Sequence, residues 1–255
     1  MPPTPMTWSF SPGGTVARMI REGSKVWEVI VTNGERGTVD LPREELVKRR
    51  LGEAREAASV LGLESVLFLN YPDGMLADIA QNEIRRKLME QIRRLRVDTL
   101  ITWDPFAPFE THPDHRITGM AAAEAASFAN LPLYHPEQVK GEEDLITVMS
   151  SYYIAKHPIE ANEVIDITPY IDLKIEALAC HRTQMEFMIK AAKRTLLLSG
   201  RPRIKVEAID PGNYRELVDL AVRKRDSAIG RRIGVDYAEE FRLERANGFS
   251  ELFET

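Results

Sequence analysis

Three short apolar stretches alternate with longer segments of helical periodicity in the first half of the chain, and this alternation limits the folds that the chain can adopt. The stretches are 25–32, 65–69 and 97–103, and the first of them is rich in β-branched residues. Between them, 42–61 (ended by Gly62) and 79–95 carry apolar residues at helical spacing. Strands that alternate with helices of this length predict an α/β fold with a mainly parallel sheet and right-handed crossovers.

The later half is less regular, and it shows no break clean enough to separate two domains. We therefore expect a single domain over residues 1–255. Further helices are expected at 13–21 and 117–129, a polar loop at 131–144 and a connector at 202–213. The remaining expected elements are strands at 147–155 and 163–167 and helices at 169–180, 186–198, 214–229 and 237–244.

Composition excludes several classes of protein. The chain has 255 residues, of which 44% are hydrophobic and 29% charged, as in globular proteins. A net charge of −5 argues against a general affinity for nucleic acid. The single cysteine, Cys180, excludes an internal disulfide framework and is typical of a reducing cytoplasm. No apolar run is long enough to span a membrane, and the N-terminus lacks the pattern of a signal peptide.

Two of the five histidines lie in the tetrapeptide His112-Pro113-Asp114-His115, between the third expected strand and the helix that follows it. Sites in open α/β sheets lie beyond the carboxyl ends of strands. Imidazole binds transition metals and transfers protons near neutral pH, so His115 is placed as a metal ligand and His112 as a proton donor or oxyanion partner. Taken alone, the tetrapeptide is explained equally well as a helix N-terminus capped by Asp114.

Polar loops also follow the first two expected strands. They are Asn33-Gly34-Glu35 and Tyr71-Pro72-Asp73-Gly74, and turn geometry alone explains either of them. The carboxyl ends of parallel strands lie on one edge of a sheet. Three polar loops on that edge, one with paired histidines, favour a functional site there.

A set of short motifs resembles the PIG-L (LmbE-like) N-acetylglucosaminyl deacetylases, and their order and spacing match over nearly the whole chain. The matching segments are 13–15, 32–35, 50–53, 57–62, 71–74, 112–116, 174–178, 181–184 and 237–241. The resemblance implies a zinc enzyme with a Rossmann-like three-layer fold. By position, it makes His115 a zinc ligand and His112 the stabiliser of the tetrahedral intermediate, with Asp114 as the helper of His112.

The resemblance also implies residues that bind substrate. Arg50 and Asp73 are expected to face the sugar, with Asn33 and Glu35 on the rim of the pocket. His181 matches a family position for which no role follows, and we expect a packing histidine near the site.

The first motif of the family, His-Pro-Asp-Asp, is missing. In the family its histidine and second aspartate are zinc ligands, its first aspartate is the general base, and a central strand precedes it. The aligned residues here are Thr4, Pro5, Met6 and Thr7, and we expect the N-terminal strand to be missing as well. Catalytic zinc usually has three protein ligands, and this chain offers His115, so we expect weak or absent zinc binding.

Two explanations of this departure stay open: a non-catalytic relative, or a shifted reading frame in the gene sequence. The family motif His-Pro-Asp-Asp-Leu-Glu can be written CAC CCC GAT GAC TTG GAG. Read one base late, it encodes Thr-Pro-Met-Thr-Trp and the start of a serine codon, and the chain has Thr4-Pro5-Met6-Thr7-Trp8-Ser9. One extra base before Phe10 restores the frame. We favour the frame shift.

We therefore expect a zinc-dependent hydrolase by descent, which removes an N-acetyl group from an N-acetylglucosamine-type substrate and is impaired in this chain. The alternative is a non-catalytic sugar-binding or scaffolding relative. The expected partner is a small amino-sugar conjugate, neither nucleic acid nor membrane, and the expected location is the cytoplasm. The acyl group and the oligomeric state, including a homo-oligomer, stay open.

Overall fold

Six strands and seven α-helices lie in the part of the chain that this computed structural model describes, residues 12–38, 40–156, 158–198 and 210–246. The strands are β1 (Trp27–Thr32), β2 (Ser65–Tyr71), β3 (Thr99–Trp103), β4 (Ser150–Ile154), β5 (Glu163–Asp166) and β6 (Ala238–Arg245). The helices are α1 (Gly13–Arg21), α2 (Arg43–Leu61), α3 (Gln81–Leu95), α4 (Pro113–Phe128), α5 (Ile171–Cys180), α6 (Arg182–Leu198) and α7 (Tyr214–Gly230). The expected α/β class is confirmed, since β1 pairs with β2 and β3 with β4 in parallel.

The chain divides into two compact units, of which the first comprises residues 1–73 and 164–239. Its strands β1 and β2 run in register from Trp27 opposite Ser65 to Ile30 opposite Phe68. Helices α2 and α5 pack closely through the buried side chains of Ala57 and Ala177, because alanine lets two helix backbones approach.

The second unit comprises residues 74–163 and 240–255, and β4 lies between β3 and β6 in its sheet. Strand β4 is parallel to β3 and antiparallel to β6. Helix α4 packs on β3 at Gly119, where a Cβ atom would lie 2.4 Å from the carbonyl oxygen of Trp103. This close approach requires glycine, and it brings the start of α4 to the carboxyl end of β3.

The expected helix at 237–244 is wrong, because this segment forms the strand β6. Its glutamates and arginines favour helix by intrinsic propensity. Burial, however, alternates along the strand, with Phe241 and Leu243 buried while Arg242 is half-buried and Glu244 exposed. Period-two burial against β4 therefore overrides propensity.

Two helices begin earlier than expected. Helix α4 begins at Pro113 rather than at residue 117, because proline is favoured in the first turn, where its missing N–H costs nothing. Helix α6 begins at Arg182 rather than at residue 186. There the carboxylate of Glu53, distant in sequence, accepts hydrogen bonds from the backbone N–H and the hydroxyl of Thr183 at 3.0 and 2.7 Å.

The remaining expectations concern the later chain and the N-terminus. Residues 131–144 form a loop with two short 3₁₀ turns, as expected. The connector at 202–213 lies mostly outside the described residues, and the first motif, Thr4 to Thr7, lies wholly outside them. The expected loss of the N-terminal strand therefore stays a prediction. The single domain over 1–255 stays a prediction. No helix in the described ranges is long and apolar enough to cross a membrane.

Candidate active site

In the second unit, the loop that leaves β3 is anchored at its first residue, Asp104. The carboxylate of Asp104 accepts two hydrogen bonds from the guanidinium of Arg242, at 2.8 and 2.9 Å, and one from the backbone N–H of Phe106 at 2.9 Å. Asp104 is buried, and a bidentate contact between an arginine and a carboxylate is among the stronger charge-assisted hydrogen-bond pairs. The loop therefore leaves the sheet in a fixed direction.

The same loop ends at two stacked histidines. The ring of His115 lies between the rings of Trp103 and His112, at centroid distances of 3.8 and 4.3 Å. In both pairs the two ring planes are nearly parallel, as in a stack. Burial, followed by the neighbouring imidazole of His112, lowers the pKa of His115 to about 4. His115 is therefore neutral at physiological pH, the form in which imidazole binds a metal or accepts a hydrogen bond.

Glu110 lies against both histidines, and sequence reasoning missed it. Its Oε1 accepts hydrogen bonds from Nζ of Lys156 at 2.7 Å and from the backbone N–H of His112 at 2.9 Å, and it lies 3.4 Å from Nδ1 of His115. Burial raises the pKa of Glu110, but the two hydrogen bonds, together with the charges of His115 and Lys156, lower it by more, so the pKa falls below its ordinary value. A carboxylate is thus held ionised beside the histidines.

Lys156 was also missed, although the sequence held a signal for it. Strand β4 is parallel to β3, with Ile154 opposite Trp103, so both strands end at the same edge of the sheet. Lys156 follows β4 by two residues, as the histidine loop follows β3. The expected strand at 147–155 would have pointed to this lysine had its direction in the sheet been considered.

The family resemblance implies that Asp114 assists His112, but the hydrogen bonds of Asp114 go to other partners. Its two carboxylate oxygens accept hydrogen bonds from the backbone N–H of Gly74, at 2.6 Å, and of Leu76, at 3.2 Å. Nδ1 of His112 is buried and has no hydrogen-bond partner within the described ranges. In this structure Asp114 thus ties the start of α4 to Gly74 and Leu76 and does not bond to His112.

In the first unit, the loops after β1 and β2 meet, as expected for parallel neighbours. The backbone N–H of Asn33 donates to the carbonyl of Tyr71 at 2.9 Å, and that of Arg36 donates to the carboxylate of Asp73 at 3.2 Å. Asn33 and Glu35 are joined by two hydrogen bonds, between the amide of Asn33 and the carboxylate and backbone N–H of Glu35.

Arg50 lies beside these loops. A Cβ atom on Gly34 or Gly37 would collide with its side chain, and Arg50 donates to the carbonyl of Gly37 at 3.4 Å and to the side-chain oxygen of Gln184. Burial lowers the pKa of Arg50, while the charges of Asp73 and Glu53 oppose this effect. The first unit therefore brings together all four residues expected to bind substrate: Asn33, Glu35, Arg50 and Asp73.

His181, whose role the sequence left open, lies at the end of α5 near Arg50. Burial lowers the pKa of His181, and the charge of Arg50 lowers it further. The side chain of His181 is half-buried, and its part as a packing histidine near the site stays a prediction.

The donor set does not fit a resident zinc ion. Within residues 12–38, 40–156, 158–198 and 210–246, no group of three or more histidine, cysteine, aspartate or glutamate side chains is arranged to hold a metal. The positions aligned with the other family ligands carry Thr4 and Thr7, which are poor zinc ligands, and lie outside those ranges.

Comparison with known proteins identifies similar enzymes. The model of the PIG-L family, described as GlcNAc-PI de-N-acetylase, matches residues 8–126. Diacetylchitobiose deacetylase from Thermococcus kodakarensis is 30% identical over 184 residues, which are 71% of this chain and 67% of that protein. 1D-myo-inositol 2-acetamido-2-deoxy-alpha-D-glucopyranoside deacetylase from Saccharomonospora viridis is 27% identical over 226 residues, covering 69% of this chain and 81% of that protein.

A solved structure is similar over most of the chain. N,N'-diacetylchitobiose deacetylase from Pyrococcus horikoshii, in complex with its inhibitor MPG, superposes with a TM-score of 0.73 and is 29% identical. The match covers 91% of this chain and 78% of that protein.

Proposed function

Because the chain belongs to the PIG-L family of de-N-acetylases, we propose that it is an amide hydrolase for an N-acetylglucosamine-type substrate, and that its present first motif impairs this activity. The relatives act, by name, on diacetylchitobiose and on an acetamido sugar joined to inositol. A small amino-sugar conjugate is accordingly the proposed substrate class.

The observation that carries the proposal is the stacked pair His112 and His115 at the start of α4, with Glu110 beside it. A buried, oriented imidazole N–H stabilises the negative charge that develops on the amide oxygen during hydrolysis, and this is the role we propose for His112. Asp114 fixes the start of α4 through Gly74 and Leu76, and so it holds both histidines in place.

We propose that the group in the first unit recognises the sugar. Arg50 and Asp73 offer a guanidinium and a carboxylate, and Asn33 and Glu35 add an amide and a second carboxylate. Hydroxyl groups of a sugar both donate and accept hydrogen bonds, so a mixed set of donors and acceptors suits them.

Zinc is the metal that the family implies, but this chain supplies one of the three usual ligands, His115. Thr4 and Thr7 stand at the other two ligand positions, and Met6, which cannot take a proton, stands at the position of the general base. We therefore propose that zinc binds weakly or not at all, and that turnover is low for the same reason.

Zinc content and deacetylation, measured together, test this proposal. The chain as it stands and a variant with Thr4→His, Met6→Asp and Thr7→Asp are passed through gel filtration with zinc at neutral pH, and release of acetate from N,N'-diacetylchitobiose is followed. We expect zinc and acetate release in the variant and neither in the parent. Equimolar zinc retained by the parent would contradict the impairment, and a zinc-loaded variant that releases no acetate from any N-acetylglucosamine derivative would contradict the proposed reaction.

The second candidate is a non-catalytic sugar-binding or scaffolding relative. It is favoured by the missing zinc ligands, since Thr4 and Thr7 stand at two of the ligand positions. It predicts that the parent chain binds an amino sugar, measured by calorimetry, without hydrolysing it. The DNA upstream of the Phe10 codon separates the two explanations of the missing motif. A frame that encodes His-Pro-Asp-Asp supports the shift, and confirmed codons for Thr4 to Ser9 with no such frame support the non-catalytic relative.

We also propose that the protein works in the cytoplasm, because a chain with one cysteine, Cys180, is typical of a reducing compartment.

A further inference from the structure

We propose that Glu110 is a positioning residue, which holds the imidazole of His115 in the tautomer that carries hydrogen on Nδ1 and leaves the lone pair on Nε2 free. The inference rests on the proposed function, because it is that function that gives His115 a part in the reaction. The geometry of Glu110 and of its neighbours in the second unit carries it.

The carboxylate of Glu110 is held in one position. Its side chain is only 3% exposed, and Lys156 and the backbone N–H of His112 both donate to the same oxygen, Oε1. The backbone of Glu110 is fixed as well, since its carbonyl accepts a hydrogen bond from Nη1 of Arg116 at 2.7 Å. Three donors on one residue leave it little freedom to move away from the histidines.

The residue before Glu110 adopts an unfavourable backbone conformation. Phe109 has a φ of 61°, in the left-handed region that is strained for a residue with a side chain. Its own side chain is 82% exposed, so contacts of the phenyl ring do not offset this strain. The strain persists because the contacts of Glu110 offset it.

The ring of His115 is confined between two other rings. Trp103 covers one side and His112 the other, at interplanar angles of 6° and 14°. The imidazole plane is therefore set by stacking, and Nδ1 faces Oε1 of Glu110 at 3.4 Å. Nδ1 is buried and forms no hydrogen bond with a described residue, so the contact with Glu110 is a close charge contact that orients the ring rather than a formed hydrogen bond.

This arrangement selects one tautomer. An ionised carboxylate only accepts hydrogen bonds, so a nitrogen that faces it at this distance is favoured to carry hydrogen. A neutral imidazole has a single N–H, which leaves the lone pair on Nε2. Histidine free in water prefers the opposite tautomer, with hydrogen on Nε2. Glu110 thus selects the form in which Nε2 can accept a hydrogen bond or bind a cation, as second partners of functional histidines commonly do.

Lys156 stabilises the negative charge of Glu110. A buried carboxylate without a partner is costly, and the ammonium of Lys156 at 2.7 Å offsets that cost and keeps Glu110 ionised. Oε2 of Glu110 is buried and has no hydrogen-bond partner in the described part of the chain. The contact with the histidines is therefore made by Oε1 alone.

The tautomer of His115 can be measured directly. The full chain is labelled with ¹⁵N-histidine, and long-range ¹H–¹⁵N correlation spectra are recorded at pH 8, above the ordinary histidine pKa of about 6.5. A His115→Gln variant assigns the signals. We expect the Nδ1–H pattern for His115 in the parent and the Nε2–H pattern in Glu110→Ala. Glu110→Gln, whose amide oxygen still accepts from Nδ1–H, retains the parent pattern.

A matched control is provided by Glu137, whose carboxylate lies 3.6 Å from Nδ1 of His135 but is 58% exposed. Glu137→Ala removes a carboxylate beside another histidine of the same unit, and it should leave the signals of His115 unchanged. Each variant is first shown to unfold cooperatively on heating. If Glu110→Ala does not fold, the parent spectrum still tests the inference, because an Nε2–H tautomer of His115 there overturns it.

An Nε2–H tautomer of His115 in the parent would overturn the inference, and so would an unchanged Nδ1–H pattern in folded Glu110→Ala or an equal change in Glu137→Ala. Acetate release from N,N'-diacetylchitobiose is assayed on the same samples. Its absence bears on the proposed function, whereas the tautomer reports on Glu110 regardless of turnover.

Discussion

At the scale of single residues, His112 and His115 stack on each other and yet have different neighbours. His115 lies between Trp103 and His112 with Nδ1 3.4 Å from Oε1 of Glu110, whereas His112 contacts that oxygen through its backbone N–H. The Nδ1 atoms of both histidines are buried without a hydrogen-bond partner in the described ranges. The environment of His115 thus suits a ligand with one free nitrogen. That of His112 leaves a polar atom available to a substrate.

Because the two histidines differ in this way, replacing each of them with alanine should have a different effect. Both substitutions are tested in the variant with Thr4→His, Met6→Asp and Thr7→Asp. His115→Ala should abolish both zinc retention and deacetylation. His112→Ala should retain zinc but lower turnover by a factor on the order of a hundred or more, the usual loss for one oxyanion partner. Zinc content is measured after gel filtration and turnover by acetate release. Loss of zinc in His112→Ala would show that both histidines are ligands.

The sequence located these two histidines but not what holds them. The His-Pro-Asp-His motif and the apolar strand before it can be recognised from the sequence alone. The contact of Glu110 with His115 needs the turn at Phe109, and the contact with Lys156 needs the pairing of β4 with β3. Both depend on packing across distant segments, which periodicity does not report. The partners of Asp114 were missed for the same reason.

At the scale of elements, the position of the histidines depends on how closely α4 approaches β3. Gly119 lies at the contact, and a Cβ atom there would lie 2.4 Å from the carbonyl oxygen of Trp103, whose ring stacks on His115. A backbone atom cannot rotate away as a side chain can. A side chain at residue 119 therefore has to displace α4, β3 or both.

Gly119→Ala should destabilise the protein by about 1–3 kcal/mol, as overpacking does, although alanine is the better helix former. Gly52→Ala is the matched control, because Gly52 is also within a helix but a Cβ atom there meets nothing within 4 Å. We expect this control to gain about 0.5–1 kcal/mol. Urea unfolding measures both, and a stabilised Gly119→Ala would contradict the close packing of α4 on β3.

Elements whose hydrophobic period was clear were predicted correctly, and those defined by distant partners were not. Strands β1 to β3 and helices α2 and α3 followed from apolar spacing alone. Strand β6 was assigned to helix because its charged residues favour helix, and its alternation of buried and exposed residues appears only against β4. The early start of α6 depends on Glu53, more than a hundred residues away in sequence.

At the scale of the whole molecule, the first unit is joined by a buried charged cluster that draws on three of the matching segments, 13–15, 174–178 and 237–241, and on α7. Lys174 of α5 pairs with Asp226 of α7 at 2.6 Å and with Glu239 of β6 at 2.7 Å. Glu239 also accepts the backbone N–H groups of Gly14 and Thr15, at 3.1 and 2.8 Å, at the start of α1. Three elements distant in sequence thus meet at Lys174, and a fourth, α1, joins them through Glu239.

Replacement of this lysine should therefore affect the whole first unit. Lys174→Met keeps the length of the side chain but leaves two carboxylates buried without their cation, and we expect a loss of about 3–5 kcal/mol in the free energy of unfolding. Lys190→Met is the matched control: Lys190 pairs with Asp40 at the same distance of 2.6 Å, but its side chain is 47% exposed. An exposed pair contributes little to stability, so the control should unfold at nearly the parental urea concentration. The two variants remove the same charge and differ in burial, so their difference isolates the cost of uncompensated buried carboxylates. Equal midpoints would contradict a stabilising role for the cluster.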